Sequence, residues 1–467
     1  MADSLEFDLV VLGGGSAGYA GARTFHERKG GTVAIVDGAA ELGGLCILRG
    51  CMPSKTLLAS AEVLQRTREA AAYGLVIEGA RPDLALLRAR KQRLIGEFAA
   101  YRQEQLADGR FTLLRHRARL LDPHHLELDD GRKVRFGALL IATGSTIATP
   151  PLPGLAETPH WTSDDVLNLP ELPDSVVVLG GGIVACELAQ FLQRMGIRTT
   201  LIQRSPRILK EATPEAAEAV TAAFRAEGMT VFTGTKVTAI TQQGGAVQVD
   251  FEHAGEARSV VADRLFQALG RVPATANLGL AEAGVELTPS GHIRTDPYQR
   301  TSQPHIFAAG DCAGPLEIVH VAIQQAEVAM QALLGGAPRP VDMDRQLQVV
   351  FTDPGVAFCG RREADLKAAG IDVAVADYPF ADHGKALVLE APHGHVRIWT
   401  ERASGRLLAA ECVGREAGEL IHPLAVGVAL DLTAADLLRI PWYHPTLAEI
   451  WTYPLEELAS LQQPDPS

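Results

Sequence analysis

The chain is short of the features that would direct it to nucleic acid, into a membrane or out of the cell. Basic residues are in deficit: 43 Lys+Arg stand against 56 Asp+Glu, for a formal charge of −13. So acidic a chain is a poor partner for a phosphate backbone or an anionic bilayer, and its charge reads as a solvated, solubilising surface. The most apolar run, Val176 to Cys186, is eleven residues long and rich in glycine, well under the roughly 20 that span a bilayer. The first residues, Met1-Ala2-Asp3-Ser4-Leu5-Glu6, are acidic and carry neither a basic segment nor an apolar core, so no secretory signal is visible. There is no short-period repeat and no long low-complexity segment. Cysteine is sparse, six in 467 residues. These absences predict a soluble cytoplasmic protein without nucleic-acid or membrane partners. Structural disulfides are rare in that compartment, so a paired cysteine there is more often catalytic.

What is present is ample core and a strong organisation. Hydrophobic residues make up 47%, and the length suggests about three domains of roughly 150 residues. Phe7 to Leu12 is a short apolar run ending in Gly13-Gly14-Gly15-Ser16-Ala17-Gly18. A helical stretch follows, then Thr32 to Asp37. This is strand, tight turn, helix, strand, a βαβ unit. The unit recurs: Ser175 to Leu179 leads through Gly180-Gly181-Gly182-Ile183-Val184-Ala185 to Arg198–Gln203. Two such units on one chain predict two nucleotide sites. Pro- and Gly-rich joints at Thr149–Gly154 and Gly335–Pro340 mark candidate domain seams. Gln303 to Asp311 reads as a strand ending on a Gly-Asp turn. Beyond 340, strand-like runs (Gln348–Phe351, Val396–Trp399) precede amphipathic helices, as in a separate α+β domain. The polar tail Gln462 to Ser467 is expected to be loose.

The two glycine turns carry specific chemistry. Gly13 would turn the chain, Gly15 would admit a pyrophosphate, and Gly18 would let helix and strand pack. The phosphates would rest on the helix N-terminus. Asp37 follows Gly18 by 19 residues, where a carboxylate takes ribose hydroxyls. In the second unit Gly180, Gly182 and Ala185 repeat the pattern, but Gln203 stands at the carboxylate position and Arg204, Arg207 and Lys210 follow. A 2′-phosphate is repelled by a carboxylate and pairs with Arg, so NADPH is favoured over NADH. The plainer reading of the three basic residues is an ordinary surface loop.

About thirty residues after the first turn stands Cys46-Ile47-Leu48-Arg49-Gly50-Cys51, followed by Pro53-Ser54-Lys55. In a straight helix the two cysteines would be separated by roughly 7.5 Å of rise, whereas a disulfide wants Cα atoms about 4.4–6.8 Å apart. A bridge therefore needs a distorted turn, for which Gly50 supplies backbone freedom, and a strained bridge is easier to reduce. Two buried, inert thiols are the alternative. Arg49 either lowers a thiol pKa or faces solvent. Near the far end, His444-Pro445-Thr446 is read as a helix entry with Pro445 at the first helical position. Glu449, one turn on, could orient the imidazole as a general acid/base for thiol chemistry; a simple helix-entry His is the bland reading. Cys186, Cys312, Cys359 and Cys412 have no metal-ligand spacing and read as buried small hydrophobes; no metal site is expected.

In this order the pieces resemble the flavin-dependent pyridine nucleotide–disulfide oxidoreductases, a group that includes dihydrolipoamide dehydrogenase, glutathione reductase and mercuric reductase. Gly43-Gly44-Leu45-Cys46 through Lys55 is similar to the family's active-site segment. Ile141-Ala142-Thr143-Gly144 is similar to its chain-crossing motif, and Ala268-Leu269-Gly270-Arg271-Val272-Pro273 to the strand leaving the nicotinamide domain. Ala309-Gly310-Asp311 resembles the second flavin turn, Phe351-Thr352-Asp353-Pro354 the start of the interface domain, and His444-Pro445-Thr446 with Glu449 the acid/base motif.

The resemblance implies an α/β fold with two Rossmann-like domains and a C-terminal α+β dimerisation domain. FAD would occupy 1–150 with 274–340, NAD(P)H would occupy 151–273, and 341–467 would form the interface. Gly13, Gly15, Ser16, Gly18, Asp37, Gly44, Lys55, Thr143, Gly144, Gly270, Arg271, Gly310 and Asp311 would serve the cofactor sites, with Gly180, Gly182, Gln203, Arg204, Arg207 and Lys210 on the nicotinamide side. Lys55 and Glu187 would form an ion pair near the flavin. Cys51 would face the flavin, Cys46 would exchange with a disulfide or dithiol substrate, and His444 would come from the partner subunit of a homodimer.

Departures narrow the subtype. Arg23 matches one arginine of the glutathione-binding pair, but Glu327 stands at the other. Tyr101 stands where a substrate-contacting tyrosine occurs, and reads more simply as a surface-helix residue. The vicinal cysteines of mercuric reductases have no counterpart after Cys412. Gln203 replaces the acid usual in dihydrolipoamide dehydrogenases, and the residues between Cys46 and Cys51 differ from their usual filling. A dihydrolipoamide dehydrogenase-like activity is the leading expectation. An NADPH-dependent reductase of another disulfide and a flavin reductase of quinones or metals are its rivals among enzymes, and a non-catalytic redox-sensing flavoprotein is the rival of another class.

Overall fold

The computed structural model describes residues 5–462. The expectations for Met1–Ser4 and for the tail beyond Gln462 lie outside the described residues. The chain forms two compact units. The first combines the chain up to Leu57 with Ala85–Thr149 and Gly270–Val341; the second combines Leu58–Leu84, Pro150–Leu269 and the chain from Asp342 on.

The first unit is built on a mostly parallel sheet. Leu5–Leu12 lies between Val33–Val36 and Lys133–Ile141, with Thr112–Leu114 beyond Val33–Val36. Lys133–Ile141 shares its other edge: its start pairs antiparallel with His125–Leu128, its end parallel with Ile306–Ala308. Strand side chains alternate between faces, so Leu9 and Val11 join one core and Val10 and Leu12 another. Both faces are covered, which is why this strand reads as a continuous apolar run rather than an alternation. The first core holds the helices Ser16–Lys29 and Val319–Leu333. Gly21 allows their close approach to the sheet: a Cβ there would lie 2.2 Å from Leu140 Cδ2.

The second unit repeats the design. The parallel strands Thr230–Phe232, Arg198–Ile202, Ser175–Leu179 and Arg264–Gln267 form one sheet in that order. The helix Ile183–Arg194 follows the second glycine turn, and an antiparallel meander spans Thr235–Gln243, Ala246–His253 and Glu256–Ala262. The C-terminal part is α+β. Leu347–Val350, Gly355–Gly360, Leu407–Gly414, His395–Glu401 and Val373–Pro379 form an antiparallel sheet. Helices pack on it around the fully buried Trp451, whose Nε1 donates to Leu420 O at 2.8 Å. The strand expected over Gln348–Phe351 stops at Val350, because the Phe351 N–H is directed to Glu187 Oε1 at 2.9 Å instead of a strand partner. No helix among the described residues is long and apolar enough to cross a membrane.

Candidate active site

The first glycine turn is shaped for an anion. Gly13 has φ +104°, and a Cβ on it would fall 2.4 Å from Ala142 O; one on Gly18 would fall 1.8 Å from Gly13 O. No side chain but hydrogen fits either place. The helix opening at Ser16 is capped by Gly15 without a side-chain hydrogen bond and has no acid in its first turn. Its first N–H groups therefore lack a protein cap and point where a pyrophosphate would sit. Asp37 is fixed beside them, Oδ2 accepting from Gly14 N at 2.8 Å and Oδ1 from Ala39 N at 2.9 Å.

Three distant motifs meet in the same unit. Ser145 Oγ donates to Asp311 Oδ2 at 2.6 Å and accepts from Arg271 Nε at 2.8 Å. Gly144 O accepts from Ala274 N, Thr143 Oγ1 donates to Ala274 O, and Gly270 O accepts from Ala148 N. Gly310 N donates to Gln325 Oε1 at 2.7 Å. The sequence reading missed Ser145, whose one signal is its position directly after Thr143-Gly144. It also missed Glu317, whose carboxyl is raised by burial and by the nearby Asp311 charge, against the pull of Arg271.

The cysteine segment lies against this turn. A Cβ on Gly44 would fall 2.6 Å from Gly15 Cα. The helix Gly44–Arg49 ends at Gly50, which has φ −132° and ψ −113°, and a second helix, Cys51–Arg68, begins at once. The expected distortion is thus a complete break. Cys46 is half-buried and Cys51 exposed. The Cys46 thiol is hydrogen-bonded to Cys51; that bond first, then burial, pushes its pKa up, while the charge of Lys55 works in the opposite direction. Arg49 is exposed, and Tyr101 is 64% exposed, as a surface-helix tyrosine should be. Cys186, Cys312, Cys359 and Cys412 are all buried, and burial pushes the Cys359 thiol up to about 12.

In the second unit, Gly180 has φ +116°, and Gly182 caps the helix Ile183–Arg194 with no side-chain bond and no acid in the first turn. Gln203 is half-buried against Gly181, where a Cβ would lie 2.9 Å from Gln203 Cγ. Arg204, Arg207 and Lys210 are exposed in the loop that follows; Arg207 Nη2 donates to Lys210 O at 3.1 Å, and Lys210 Nζ lies 3.2 Å from Glu211. Glu187 is 2% exposed. It belongs to this unit and Lys55 to the other.

Also in the second unit, His444 Nδ1 lies 3.0 Å from both oxygens of Glu449. The imidazole side chain is 81% exposed and the carboxylate 14%, so a ring anchored at Nδ1 stands largely in solvent. The helix entry is corrected. His444 and Pro445 lie in a bend, Thr446 is the extended cap, and a 3-10 helix over Leu447–Trp451 precedes the helix Thr452–Ser460. Thr446 takes the cap because its backbone is extended, at φ −129° and ψ 158°, leaving Pro445 outside the helix.

Residues 7–326 match the family Pyridine nucleotide-disulphide oxidoreductase, and residues 347–454 match its dimerisation domain. The chain belongs to this family. It is a FAD-dependent oxidoreductase that uses NAD(P)H and a dithiol/disulfide centre, and the dimerisation domain makes it a homodimer. Relatives of this oxidoreductase include a mercuric reductase of Acidithiobacillus ferrooxidans, 35% identical over 96% of this chain and 82% of the relative. A dihydrolipoyl dehydrogenase of Mycobacterium leprae is 32% identical over 95% of this chain and 96% of the relative. Among solved structures, the HOCl-induced flavoprotein disulfide reductase RclA from Escherichia coli superposes with a TM-score of 0.86 at 26% identity, covering 96% of this chain and 99% of its own. The uncapped helix start, the fixed Asp37 and the Gly15–Gly44 approach fit the pyrophosphate and ribose of FAD in the oxidoreductase.

Proposed function

We propose that this oxidoreductase passes electrons between NADPH and a small, neutral disulfide or dithiol of the lipoamide kind, through Cys46 and Cys51. One observation carries the reading: the helix break at Gly50 holds the two thiols in hydrogen-bonding contact, beside the Lys55 charge and against the first nucleotide turn. FAD, once bound by 1–150 and 274–340, supplies the two-electron link between the nicotinamide held by 151–273 and this pair; residues 341–467 form the interface. Gly13, Gly15, Ser16, Gly18, Gly44, Asp37, Thr143, Gly144, Gly270, Arg271, Gly310 and Asp311 hold the flavin nucleotide, and Lys55 supplies a positive charge on the flavin side of the site.

The protein's own steps then balance. His444 takes the Cys46 proton, the resulting thiolate attacks a substrate disulfide to form a mixed disulfide, and His444 returns the proton to the departing thiolate. Cys51 next attacks Cys46 sulfur, expels the second substrate thiol and closes the 46–51 bridge. Run backwards, the same groups oxidise a dithiol. His444 stands exposed on the dimerisation part, which suits delivery of its proton to the partner subunit's Cys46. The ion pair between Arg23 and Glu327, 3.0 Å long, argues for an uncharged substrate, because Arg23 is already occupied and Glu327 repels carboxylates. Gln203 with exposed Arg204, Arg207 and Lys210 supports NADPH over NADH.

A second reading is a flavin reductase of a quinone or metal that bypasses the cysteines, and the mercuric reductase relatives favour it. Cys46→Ser separates the two. The disulfide reading expects NADPH-dependent turnover of oxidised lipoamide to fall about a thousandfold or more, with dye reduction retained. Unchanged lipoamide turnover would overturn it.

A further inference from the structure

Glu449 has an imidazole on two sides. Besides His444, its Oε1 lies 3.5 Å from Nε2 of His383. His383 sits between the 3-10 helix Phe380–Asp382 and the short helix Gly384–Val388, with its side chain 0% exposed. The ring stands edge-on to Tyr453, centroids 6.3 Å apart, and Tyr453 is stacked on Tyr378 at 3.9 Å. Tyr453, itself backed by Tyr378, thus flanks the imidazole. Neither ring nitrogen has a hydrogen-bond partner among the described residues: the contact with Glu449 is close enough for charge attraction but is not formed as a hydrogen bond.

A buried imidazole left unpaired is costly, and an apolar side chain would fill the space without that cost. Burial, first, and the nearby His444 hold the His383 pKa below the ordinary imidazole value, although the Glu449 carboxylate pulls upward. The ring is therefore neutral around pH 7 and carries one N–H. The polar groups around it are Glu449 and Tyr453 from the C-terminal segment, His444 from the bend before it, and Asp382 with Tyr378 from its own side. Tyr378 is engaged with Asp382 O at 3.2 Å.

We infer that His383 is a positioning residue for the acid–base step, its Nε2–H closing on Glu449 Oε1 when His444 gives up its proton. This rests on the reading of His444 as the proton carrier. While His444 is charged, it is the counterion of Glu449. Once it is neutral, a mostly buried carboxylate needs another donor, and His383 is the group within reach. A movement of a few tenths of an ångström completes the bond. The donor lowers the cost of the bare carboxylate, so it loosens the hold of Glu449 on the His444 proton and keeps His444 a competent acid.

The test compares pH profiles of kcat for NADPH-dependent reduction of oxidised lipoamide by the flavin-loaded dimer. His383→Leu is expected to raise the ionisation assigned to His444 by about one unit and to lower kcat several-fold at pH 7 with KM unchanged. His383→Gln, whose amide nitrogen reaches the same point, is expected to restore both. If His383→Leu gives no flavin-bound dimer, His383→Asn, polar but too short to reach Glu449, takes its place with the same expected shift. A profile coincident with the unsubstituted enzyme, a loss of kcat without the shift, or failure of His383→Gln to restore it overturns the role of His383. Full activity of His444→Gln would instead overturn the acid–base reading on which it rests.

Discussion

Arg23 Nη2 donates to Glu327 Oε1 at 3.0 Å, joining the helices Ser16–Lys29 and Val319–Leu333. The guanidinium that could grip a substrate carboxylate is thereby held by one of the protein's own. Glu327→Gln should release it. The ratio of kcat/KM for glutathione disulfide to that for oxidised lipoamide is expected to rise about tenfold, the scale of one charge-assisted hydrogen bond. Both side chains are more than a third exposed, so folding stability should change by less than about 1 kcal/mol. Steady-state kinetics with the two disulfides measures the first, and denaturant unfolding the second.

Gly18→Ala should give a protein that purifies with little or no flavin. Its Cβ would be forced to within 1.8 Å of Gly13 O, a clash with backbone that only a shift of the whole turn relieves. The ratio of visible to ultraviolet absorbance after purification reads this directly.

Gln203→Glu should turn the coenzyme preference. A carboxylate at the end of strand Arg198–Ile202 would accept from ribose hydroxyls and repel a 2′-phosphate. KM for NADPH is expected to rise about tenfold or more while KM for NADH is unchanged or falls; parallel initial-rate measurements with the two coenzymes decide it.

Arg194→Ala should destabilise the second unit by roughly 3–5 kcal/mol, the scale for breaking a buried ion pair. Arg194 is 6% exposed, Nη2 donating to Glu227 Oε1 at 2.6 Å and Asp353 Oδ2 at 2.8 Å, and Glu227 is itself 13% exposed. The substitution strands Glu227 without its counterion. Thermal unfolding of the holoenzyme should show the loss, and Arg194→Met, which keeps the aliphatic packing, should show a smaller one.

The two βαβ units were legible because each signal is local. A buried strand, a glycine that alone tolerates φ +104° or +116°, and an uncapped helix start all lie within a few residues. The cysteine geometry was legible for the same reason: two thiols five positions apart cannot meet unless the helix between them breaks, and Gly50 is where it does. The entry to the last helix was misread because Pro445 suits a first turn as well as a bend, and local propensity does not choose between them. Ser145 and His383 left no mark at all. A serine after Thr143-Gly144 becomes a hub only when Arg271 and Asp311 arrive from more than a hundred residues away, and a histidine in a turn becomes a neighbour of Glu449 only when the sheet and the C-terminal helix pack together.

The amino-acid order by itself determined the kinds of chemistry available: two turns that only glycine can make, a pair of thiols around a breakable helix, a histidine one turn from a carboxylate. These follow from covalent geometry and sterics that act over a few residues. The tertiary structure alone decided which of these groups have company, such as Glu327 on Arg23 and His383 behind Glu449. Contacts between distant segments depend on how complete sheets and helices fit against one another, and no short stretch of chain contains that information.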